Sequence, residues 1–267
     1  MKRFLTALVM VPLVILAVLY SPSWLFAFWV GGVSLLALYE FFTLAAASNV
    51  RCFTIFGYVS GAAMIFSLFR LDLQIILALL ISLLLVSFLV ALAALDDLHA
   101  ALTSISATCF GVFYTTFLLG LLIPIRAFSG PSAAANYPYI FFPMIVTWAG
   151  DIGAYYVGRR FGRHKLAPRV SPKKTLEGAA GGVLASVAAG LVFHRFYSLH
   201  DTAVGIAILA TVISVVGQFG DAAESLLKRG AGMKDSSALI PGHGGILDRI
   251  DSLLFAIPTM YLYLLMR

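Results

Sequence analysis

Two aspartates near the end of the sequence have the setting of a cation-binding site. Asp221 lies three, four and seven residues before Glu224, Ser225 and Lys228, so these four side chains share one face of a helix. Asp248 precedes another apolar run and therefore belongs to a different helix. Mg²⁺ takes few protein carboxylates and completes its coordination with water and phosphate oxygens. We therefore predict that Asp221 and Asp248 together bind Mg²⁺.

Two further aspartates of this region leave alternatives open. Asp251 follows Asp248 by one helical turn, and it either binds a second cation through water or pairs with Arg249 or Lys228. Asp235 lies in the connecting loop, where it is interpreted as an acid that fixes a neighbouring cation. The number of metal ions is therefore open.

The segment between the aspartates combines cations with a glycine-rich turn. Its basic residues are Lys228, Arg229, Lys234 and Arg249, and the turn is PGHGG at 241–245. Glycines let backbone N–H groups approach an anion closely, and Lys and Arg neutralise phosphate charge. Metal-binding acids interleaved with such groups predict a site for a nucleoside triphosphate. Taken singly, the same cations are also typical of topology signals or contacts with anionic lipid.

A second basic cluster lies at 158–178, with the sequence GRRFGRHKLAPRVSPKKTLEG. Ser171 and Pro172 are typical of a helix N-cap and a first helical position, which predicts that a helix begins there. Lys173 and Lys174 would then lie at the helix N-terminus, where backbone N–H groups favour a phosphate. Binding of lipid headgroups is the alternative interpretation of this cluster.

The composition requires lipid as the solvent for most of the chain. Of the 267 residues, 61% are hydrophobic and 11% are charged, whereas soluble domains are about 25% charged. A bilayer core of about 30 Å needs roughly 20 apolar residues in a helix. We predict an all-α polytopic membrane protein with about nine spans, at residues 4–20, 24–47, 53–69, 73–95, 100–125, 139–157, 178–196, 203–227 and 252–266.

The distribution of Lys and Arg orients these spans. With the N-terminus in the cytoplasm, four of the 18 basic residues lie outside (Arg70, Arg126, Arg195 and Arg267) and the other 14 lie inside. This asymmetry agrees with the positive-inside rule and places the C-terminus outside. Most of the inner charge comes from two loops, so the rule orients the last four spans more firmly than the first five.

Acids within the spans are functional candidates, because a carboxylate at a helix centre costs about 2.5 to 3.5 kcal/mol on insertion scales. Glu40, Asp151 and Asp221 lie late in the second, sixth and eighth spans, toward the cytoplasmic face. For Glu40 we favour a structural or interfacial role over metal binding, since it is far from the other acids in sequence. Asp151 fits either role. Glu177 is a candidate to cap a helix, bind metal or pair with an Arg.

The run from Ser225 to Asp251 resembles the signature of the CDP-diacylglycerol synthases, also called phosphatidate cytidylyltransferases. The matching positions are Ser225, Leu227, Lys228, Arg229, Lys234, Asp235, Ser237, Ile240, Pro241, His243, Gly244, Gly245, Ile246, Asp248, Arg249, Ile250 and Asp251. GDAAES at 220–225 and SPKKTLEG at 171–178 are also similar to that family. The resemblance covers roughly residues 145–258, whereas the first five spans match only in hydrophobicity.

The resemblance implies a reaction in which CTP and phosphatidic acid give CDP-diacylglycerol and pyrophosphate with Mg²⁺. By position, Asp221 and Asp248 become metal ligands, with Asp251 as a further candidate. Lys228 and Arg249 are expected to act on the reacting phosphates. The other candidates for binding substrate phosphates are Ser171, Lys173, Lys174, Ser225, Arg229, Lys234, His243, Gly244 and Gly245.

The same resemblance implies a setting for that reaction. The family suggests a homodimer in the inner membrane, with the active site facing the cytoplasm and with lipids rather than nucleic acid as partners. Residues 1–137, about five spans, are then predicted to be a scaffold. Residues 138–267 are predicted to carry the catalytic site.

Two other functions fit parts of the pattern. A CTP-dependent lipid kinase would move the γ-phosphate, and a secondary transporter also uses intramembrane acids and Gly-rich broken helices. Against transport, the acids lie toward one membrane face and no paired repeat is visible. The chain also contains no Asp-Gly pair, which a CDP-alcohol phosphotransferase motif needs, and no P-loop.

Overall fold

The computed structural model describes residues 2–95, 97–128, 136–197, 199, 201–239 and 244–267, and these are mostly helical. Within these ranges, six helices are long and apolar enough to cross a membrane: Ser23–Ala47, Leu73–Ala94, Leu98–Ala127, Tyr137–Phe161, Leu176–Phe196 and Ala203–Gly230. Three shorter apolar helices are Met10–Tyr20, Thr54–Arg70 and Leu253–Leu265. The all-α membrane class is confirmed, and these segments match the predicted spans in order.

The elements follow one another along the chain with short connections. The helices are α1 (Lys2–Tyr20), α2 (Ser23–Ala47), α3 (Thr54–Arg70), α4 (Leu73–Ala94), α5 (Ala101–Gly111), α6 (Leu118–Gly120), α7 (Leu122–Ala127), α8 (Tyr137–Phe161), α9 (Leu176–Phe196), α10 (Ala203–Gly230), α11 (Leu247–Ile250) and α12 (Leu253–Leu265). The fifth predicted span is composite, because a π-helical turn at Val112–Phe117 joins α5 to α6. An antiparallel hairpin of β1 (Lys165–Ala167) and β2 (Ser171–Thr175) joins α8 to α9.

Contacts divide the chain into two compact units, which are described separately. Unit 1 comprises Met1–Pro124 and Leu227–Arg249, and unit 2 comprises Ile125–Leu226 and Ile250–Arg267. Unit 1 therefore combines the first helices with most of the signature segment. The predicted assignment of residues 1–137 to a scaffold and 138–267 to catalysis concerns function and stays a prediction.

Unit 1 is packed around aromatic side chains next to Glu40 on α2. The Phe41 ring lies with its centroid 5.6 Å from that of Phe110 and 6.3 Å from that of Tyr114. The rings can approach because Gly111 has no side chain: a Cβ there would lie 2.6 Å from Cδ1 of Phe41. Burial of such large rings is a major favourable term in packing. The part of α2 that carries Glu40 is therefore firmly held.

Unit 2 brings α8, α9 and α10 together through small residues. A Cβ on Gly150 would lie 2.6 Å from Ser186 Oγ, and a Cβ on Gly182 would lie 3.0 Å from the Gly150 carbonyl oxygen. The buried Ser186 hydroxyl donates to the Val146 carbonyl at 2.8 Å and lies 2.9 Å from the Ser214 hydroxyl. Small residues let helices approach closely in lipid, and hydroxyls bond across them. This packing fixes the helix that carries Asp221.

The hairpin corrects the predicted N-cap of the helix that contains the seventh span. Ser171 and Pro172 begin strand β2 instead of capping a helix. The N-cap of α9 is Thr175, whose Oγ1 accepts a hydrogen bond from the Gly178 N–H at 3.1 Å. Threonine is itself a favoured capping residue, so the cap lies four residues after the predicted position. The lysines between the two positions therefore lie on a strand, and the predicted phosphate seat at a helix N-terminus is wrong.

Candidate active site

A glycine cap ends α10 at the start of residues 231–247, which we call the signature loop and which belong to unit 1. Gly232 has a φ of +67°, in the left-handed region that glycine adopts without strain. Its N–H bonds to the Arg229 carbonyl at 3.1 Å, and the Met233 N–H bonds to the Lys228 carbonyl at 2.8 Å. This pair of hydrogen bonds is a Schellman motif. The cap therefore fixes the last turn of α10, with Lys228, against the start of the loop.

Asp248 lies at the centre of a polar cluster in unit 1. Lys228 Nζ donates to Asp248 Oδ1 at 2.5 Å, and the two side chains are 12% and 6% exposed. Asp248 Oδ2 accepts from the backbone N–H of Ser236 at 2.9 Å and from the Gly245 N–H at 2.7 Å, and it lies 2.8 Å from the Ser236 hydroxyl. The structure thus brings together Asp248, Lys228 and Gly245, three of the residues predicted for the site.

These contacts keep Asp248 ionised. Burial raises the pKa of its carboxyl, but the hydrogen bonds from Lys228, Gly245 and Ser236 outweigh burial and lower that pKa from 3.8 to about 2. Asp248 is therefore an anion at neutral pH. Its charge is available to hold a cation, which is the Lys228 ammonium in this structure.

We predict that the stabilising effect of Asp248 persists to low pH. A carboxyl whose pKa is lower in the folded protein stabilises it above the pKa of the unfolded chain, and this effect is lost as pH falls through the folded pKa. The difference in thermal unfolding midpoint between the wild type and Asp248→Asn should stay constant from neutral pH to about pH 4. It should then shrink toward about pH 2. A difference that already declines above about pH 5 would contradict this assignment.

Two residues of the glycine-rich turn, Gly244 and Gly245, lie within the described residues and approach carboxylates closely. Gly244 has a φ of +79°, and a Cβ there would lie 2.7 Å from Asp248 Oδ2. A Cβ on Gly245 would overlap the Ser236 hydroxyl and the Glu40 carboxylate. The Gly245 N–H, predicted to approach a phosphate, is bonded to Asp248 in this structure. A phosphate-binding role for these two glycines stays a prediction.

The other predicted residues of unit 1 lie at the end of α10, on the signature loop and on α11. The Arg229 Nη1 donates to the Met233 carbonyl at 3.1 Å, so this guanidinium takes part in the cap of α10. Lys234 and Arg249 are exposed, on the loop and on α11. His243 lies outside the described residues. Roles of these side chains in phosphate binding stay predictions.

In unit 2, Asp221 pairs with a lysine of the hairpin. Lys174 Nζ lies 2.5 Å from Asp221 Oδ2, and the two side chains are 26% and 31% exposed. Asp151 on α8 lies close enough to interact electrostatically with both. Successive side chains of a strand point to opposite faces, so β2 directs Lys174 toward Asp221 and leaves Lys173 exposed. The structure thus brings Asp221, Lys174 and Asp151 together and separates Lys173 from them.

Glu177 organises the turn that leads into this hairpin. Its Oε2 accepts from the backbone N–H groups of Arg163 at 3.0 Å and His164 at 3.2 Å. The His164 ring lies 2.6 Å from the same carboxylate through Nδ1. Three roles were left open for Glu177 by the sequence, and the observed one is closest to capping. The N–H groups that it caps belong to a turn and not to a helix. Ser171, at the start of β2, is half-buried.

Ser225 and Asp251 also belong to unit 2. Ser225 lies on α10, one turn after Asp221, and is half-buried. Asp251 lies in the turn between α11 and α12, where its Oδ1 accepts the Ser252 N–H at 2.7 Å. A Cβ on Gly220 would lie 2.7 Å from the Asp251 carbonyl oxygen, so α10 contacts this turn directly. A metal-binding role for Asp251 stays a prediction.

Glu40 contacts the signature loop in the folded unit 1, although it lies about 200 residues earlier in the sequence. Its carboxylate lies among donors of Ser236, Ser237, Ile246 and Leu247. The sequence did contain one indication of these contacts. An acid within an apolar span is costly to bury, so hydrogen-bond donors must lie near it. These contacts agree with the structural role favoured from the sequence.

The donor set of the predicted metal ligands fits Mg²⁺ in chemical type. Among the described residues, no group of three His, Cys, Asp or Glu side chains converges as a metal site. Asp221 and Asp248 each hold an ammonium group at 2.5 Å, in separate units, so each carboxylate already accepts a cation. Mg²⁺ prefers carboxylate oxygens and needs few of them when substrate phosphates complete its coordination. Binding there would require the lysines to move or to share the carboxylates.

Comparison with known proteins agrees with the signature. A model of the cytidylyltransferase family matches residues 1–266. A phosphatidate cytidylyltransferase of Brucella suis is 35% identical over 263 residues, which cover 94% of this chain and 91% of that protein. Those of Staphylococcus epidermidis and Bacillus subtilis are 46% and 44% identical over 127 and 126 residues. In these two matches the chain spans about half the length of its relatives, 49% and 47%. The chain belongs to the cytidylyltransferase family.

Proposed function

We propose that this protein transfers the cytidylyl group of CTP to phosphatidic acid and releases pyrophosphate. Family membership supports this reaction, and the observation that carries it is the Lys228–Asp248 pair, which the signature residues build. A buried ammonium that shares the Asp248 carboxylate with the Gly245 N–H suits a phosphate-bearing substrate. The aspartate orients that ammonium before the substrate arrives.

The chemistry needs no side chain to be made nucleophilic. A phosphate oxygen of the lipid, already anionic near neutral pH, forms a bond to the α-phosphorus of CTP. The bond from that phosphorus to the oxygen bridging to the β-phosphate breaks, and pyrophosphate leaves with the electron pair. The main barrier is repulsion between two anions, which fixed cations lower. Lys228 and Arg249 are proposed to act on these phosphates.

The proposed cofactor is Mg²⁺, for which Asp221 and Asp248 supply carboxylate oxygens. When bound, the ion would neutralise triphosphate charge and stabilise the departing pyrophosphate. Lys174, which pairs with Asp221, is proposed to bind a phosphate when the carboxylate binds the ion. Ser225 and the remaining basic residues of both clusters are proposed to contact substrate phosphates.

The proposed location is the cytoplasmic face of the inner membrane. Phosphatidic acid stays in lipid and CTP stays in water, so the two substrates meet at a membrane surface. The excess of Lys and Arg in the cytoplasmic loops supports this side. A homodimer is part of the same proposal, and sedimentation of the detergent-solubilised protein tests it.

Labelled CTP tests the proposed reaction. Purified protein in vesicles that contain phosphatidic acid is incubated with Mg²⁺ and CTP labelled at either the α- or the γ-phosphate. We expect α-label in the lipid and γ-label in pyrophosphate. Label from the γ-position in the lipid would indicate a lipid kinase instead. No label in the lipid from either position would contradict both reactions and leave transport or another function.

A further inference from the structure

Glu40 is a buried acid whose position requires an explanation. It lies on α2, one of the helices apolar enough to cross a membrane, and its side chain is 0% exposed. A buried carboxylate is costly unless hydrogen bonds replace its lost hydration. The cost is therefore met by contacts within unit 1, and those contacts indicate what the residue does.

Four donors of the signature loop converge on the Glu40 carboxylate. Oε1 accepts from the Ser237 hydroxyl at 2.6 Å and from the Ile246 N–H at 2.9 Å. Oε2 accepts from the Ser236 hydroxyl at 2.9 Å and from the Leu247 N–H at 2.7 Å. The donors come from both sides of the glycine-rich turn. One side chain of α2 thus connects two stretches of the loop.

The same four contacts distinguish Glu40 from a metal ligand. A carboxylate oxygen has about two lone-pair positions. Oε1 of Glu40 already accepts two hydrogen bonds, and Oε2 accepts the Leu247 N–H and shares the Ser236 hydroxyl with Asp248. A metal ion would have to displace donors that the buried carboxylate needs. The geometry therefore fits a group that holds the loop rather than one that binds a cation.

Ser236 connects Glu40 to Asp248. Its hydroxyl lies 2.9 Å from Glu40 Oε2 and 2.8 Å from Asp248 Oδ2. A hydroxyl has one hydrogen, so it donates to one of the two carboxylates at a time. The backbone N–H of Ser236 remains with Asp248, at 2.9 Å. The position of Ser236, and with it one support of Asp248, therefore depends on Glu40.

We propose that Glu40 is a positioning residue for cytidylyl transfer. Its carboxylate fixes residues 236–237 and 246–247, and these residues in turn hold Asp248 where it orients Lys228. This proposal rests on the proposed function for its effect on rate, but its structural part does not. The role requires a carboxylate, because the NH₂ group of a glutamine would face two of the four donors.

Hydrogen exchange and kinetics of Glu40→Gln test this proposal. We expect the backbone amides of Ile246 and Leu247 to exchange about tenfold faster or more, because hydrogen bonds to a charged acceptor are lost. We also expect kcat/KM for cytidylyl transfer to fall about 10- to 100-fold, as for other groups that orient a site residue. Exchange is read on the full-length protein in detergent, without substrate.

Asp72→Asn is the matched control. Asp72 caps α4 by accepting the N–H groups of Gln74 and Ile75 at 3.0 and 3.2 Å, outside the candidate site. The chemical change is the same, and Asn caps helices as well as Asp does. We expect wild-type exchange at 246–247 and wild-type activity from this variant.

Ser237→Ala is a milder second variant, in case Glu40→Gln unfolds the protein. It removes one donor to Oε1 and should speed exchange at 246–247 by a smaller factor without changing exchange in α8 and α9. Unchanged exchange at 246–247 in a folded Glu40→Gln protein would overturn the proposal, even if its activity fell. The two proposals can also fail separately. If Glu40→Gln speeds exchange at 246–247 but the wild-type protein transfers no label to lipid, Glu40 still positions the loop and the proposed reaction is refuted.

Discussion

Asparagine in place of Asp248 is expected to lower kcat/KM for cytidylyl transfer by about 10³-fold or more, the upper range for loss of one electrostatic contact in an active site. The change removes the counter-charge 2.5 Å from the Lys228 ammonium, which is 12% exposed. It also places the NH₂ group of asparagine near N–H groups that donate hydrogen bonds to the Asp248 carboxylate in the wild type. Loss of one partner from a buried ion pair typically costs about 3 to 5 kcal/mol, so the thermal unfolding midpoint should fall as well.

A double variant separates the loss of stability from the loss of rate. Asp248→Asn combined with Lys228→Met removes both charges and should regain part of the lost thermal stability, because no buried charge is left behind at the pair. Its activity should stay as low as that of the single variant. Near wild-type kcat/KM in Asp248→Asn at ordinary Mg²⁺ would exclude Asp248 from the reaction.

Replacement of Asp221 by asparagine is expected to be as damaging to rate but nearly neutral for stability. The Lys174–Asp221 pair is 26% and 31% exposed, and partly exposed ion pairs typically contribute about 0 to 1 kcal/mol. The Lys174 Nζ atom itself is buried, and the side-chain oxygen of asparagine can still accept a hydrogen bond from it. We expect kcat/KM to fall by about 10³-fold, with an unfolding midpoint close to that of the wild type. Labelled CTP and thermal unfolding in detergent measure the two effects.

The matched control in unit 2 is Asp201→Asn. Asp201 accepts from the Thr202 N–H at 2.6 Å and from the Tyr263 hydroxyl at 2.5 Å, and it was not predicted for the site. This variant should keep the wild-type rate and the wild-type Mg²⁺ requirement. If Asp221→Asn behaved in the same way, Asp221 would have no part in metal binding.

The sequence was sufficient for the fold class and for most helix positions. Long apolar runs can only be helices in lipid, and charged or Gly-containing breaks end them, so the predicted spans match the observed helices in order. The stripe from Asp221 to Lys228 was also predictable, because helical spacing fixes which side chains share a face. Local periodicity carries this information directly.

Two features of the candidate site depend on contacts that local sequence does not specify. Ser171 and Thr175 are both good N-caps, and the choice between them depends on pairing of β2 with β1. That pairing separates Lys173 from Lys174. Likewise, Glu40 meets Ser236 and Leu247 only after α2 and the signature loop are folded together in unit 1. Neither contact produces a periodic pattern in the sequence, so neither could be predicted from it.

The carboxylates of Asp221 and Asp248 are each proposed to supply oxygens to the divalent cation that would allow two anions to react. Mn²⁺ binding, followed by electron paramagnetic resonance on the purified protein with CTP present, tests this claim independently of turnover. We predict that Asp221→Asn and Asp248→Asn each weaken Mn²⁺ binding at least about 10- to 100-fold, whereas Asp201→Asn binds it as the wild type does. Wild-type Mn²⁺ affinity in both site variants would exclude both aspartates from metal binding.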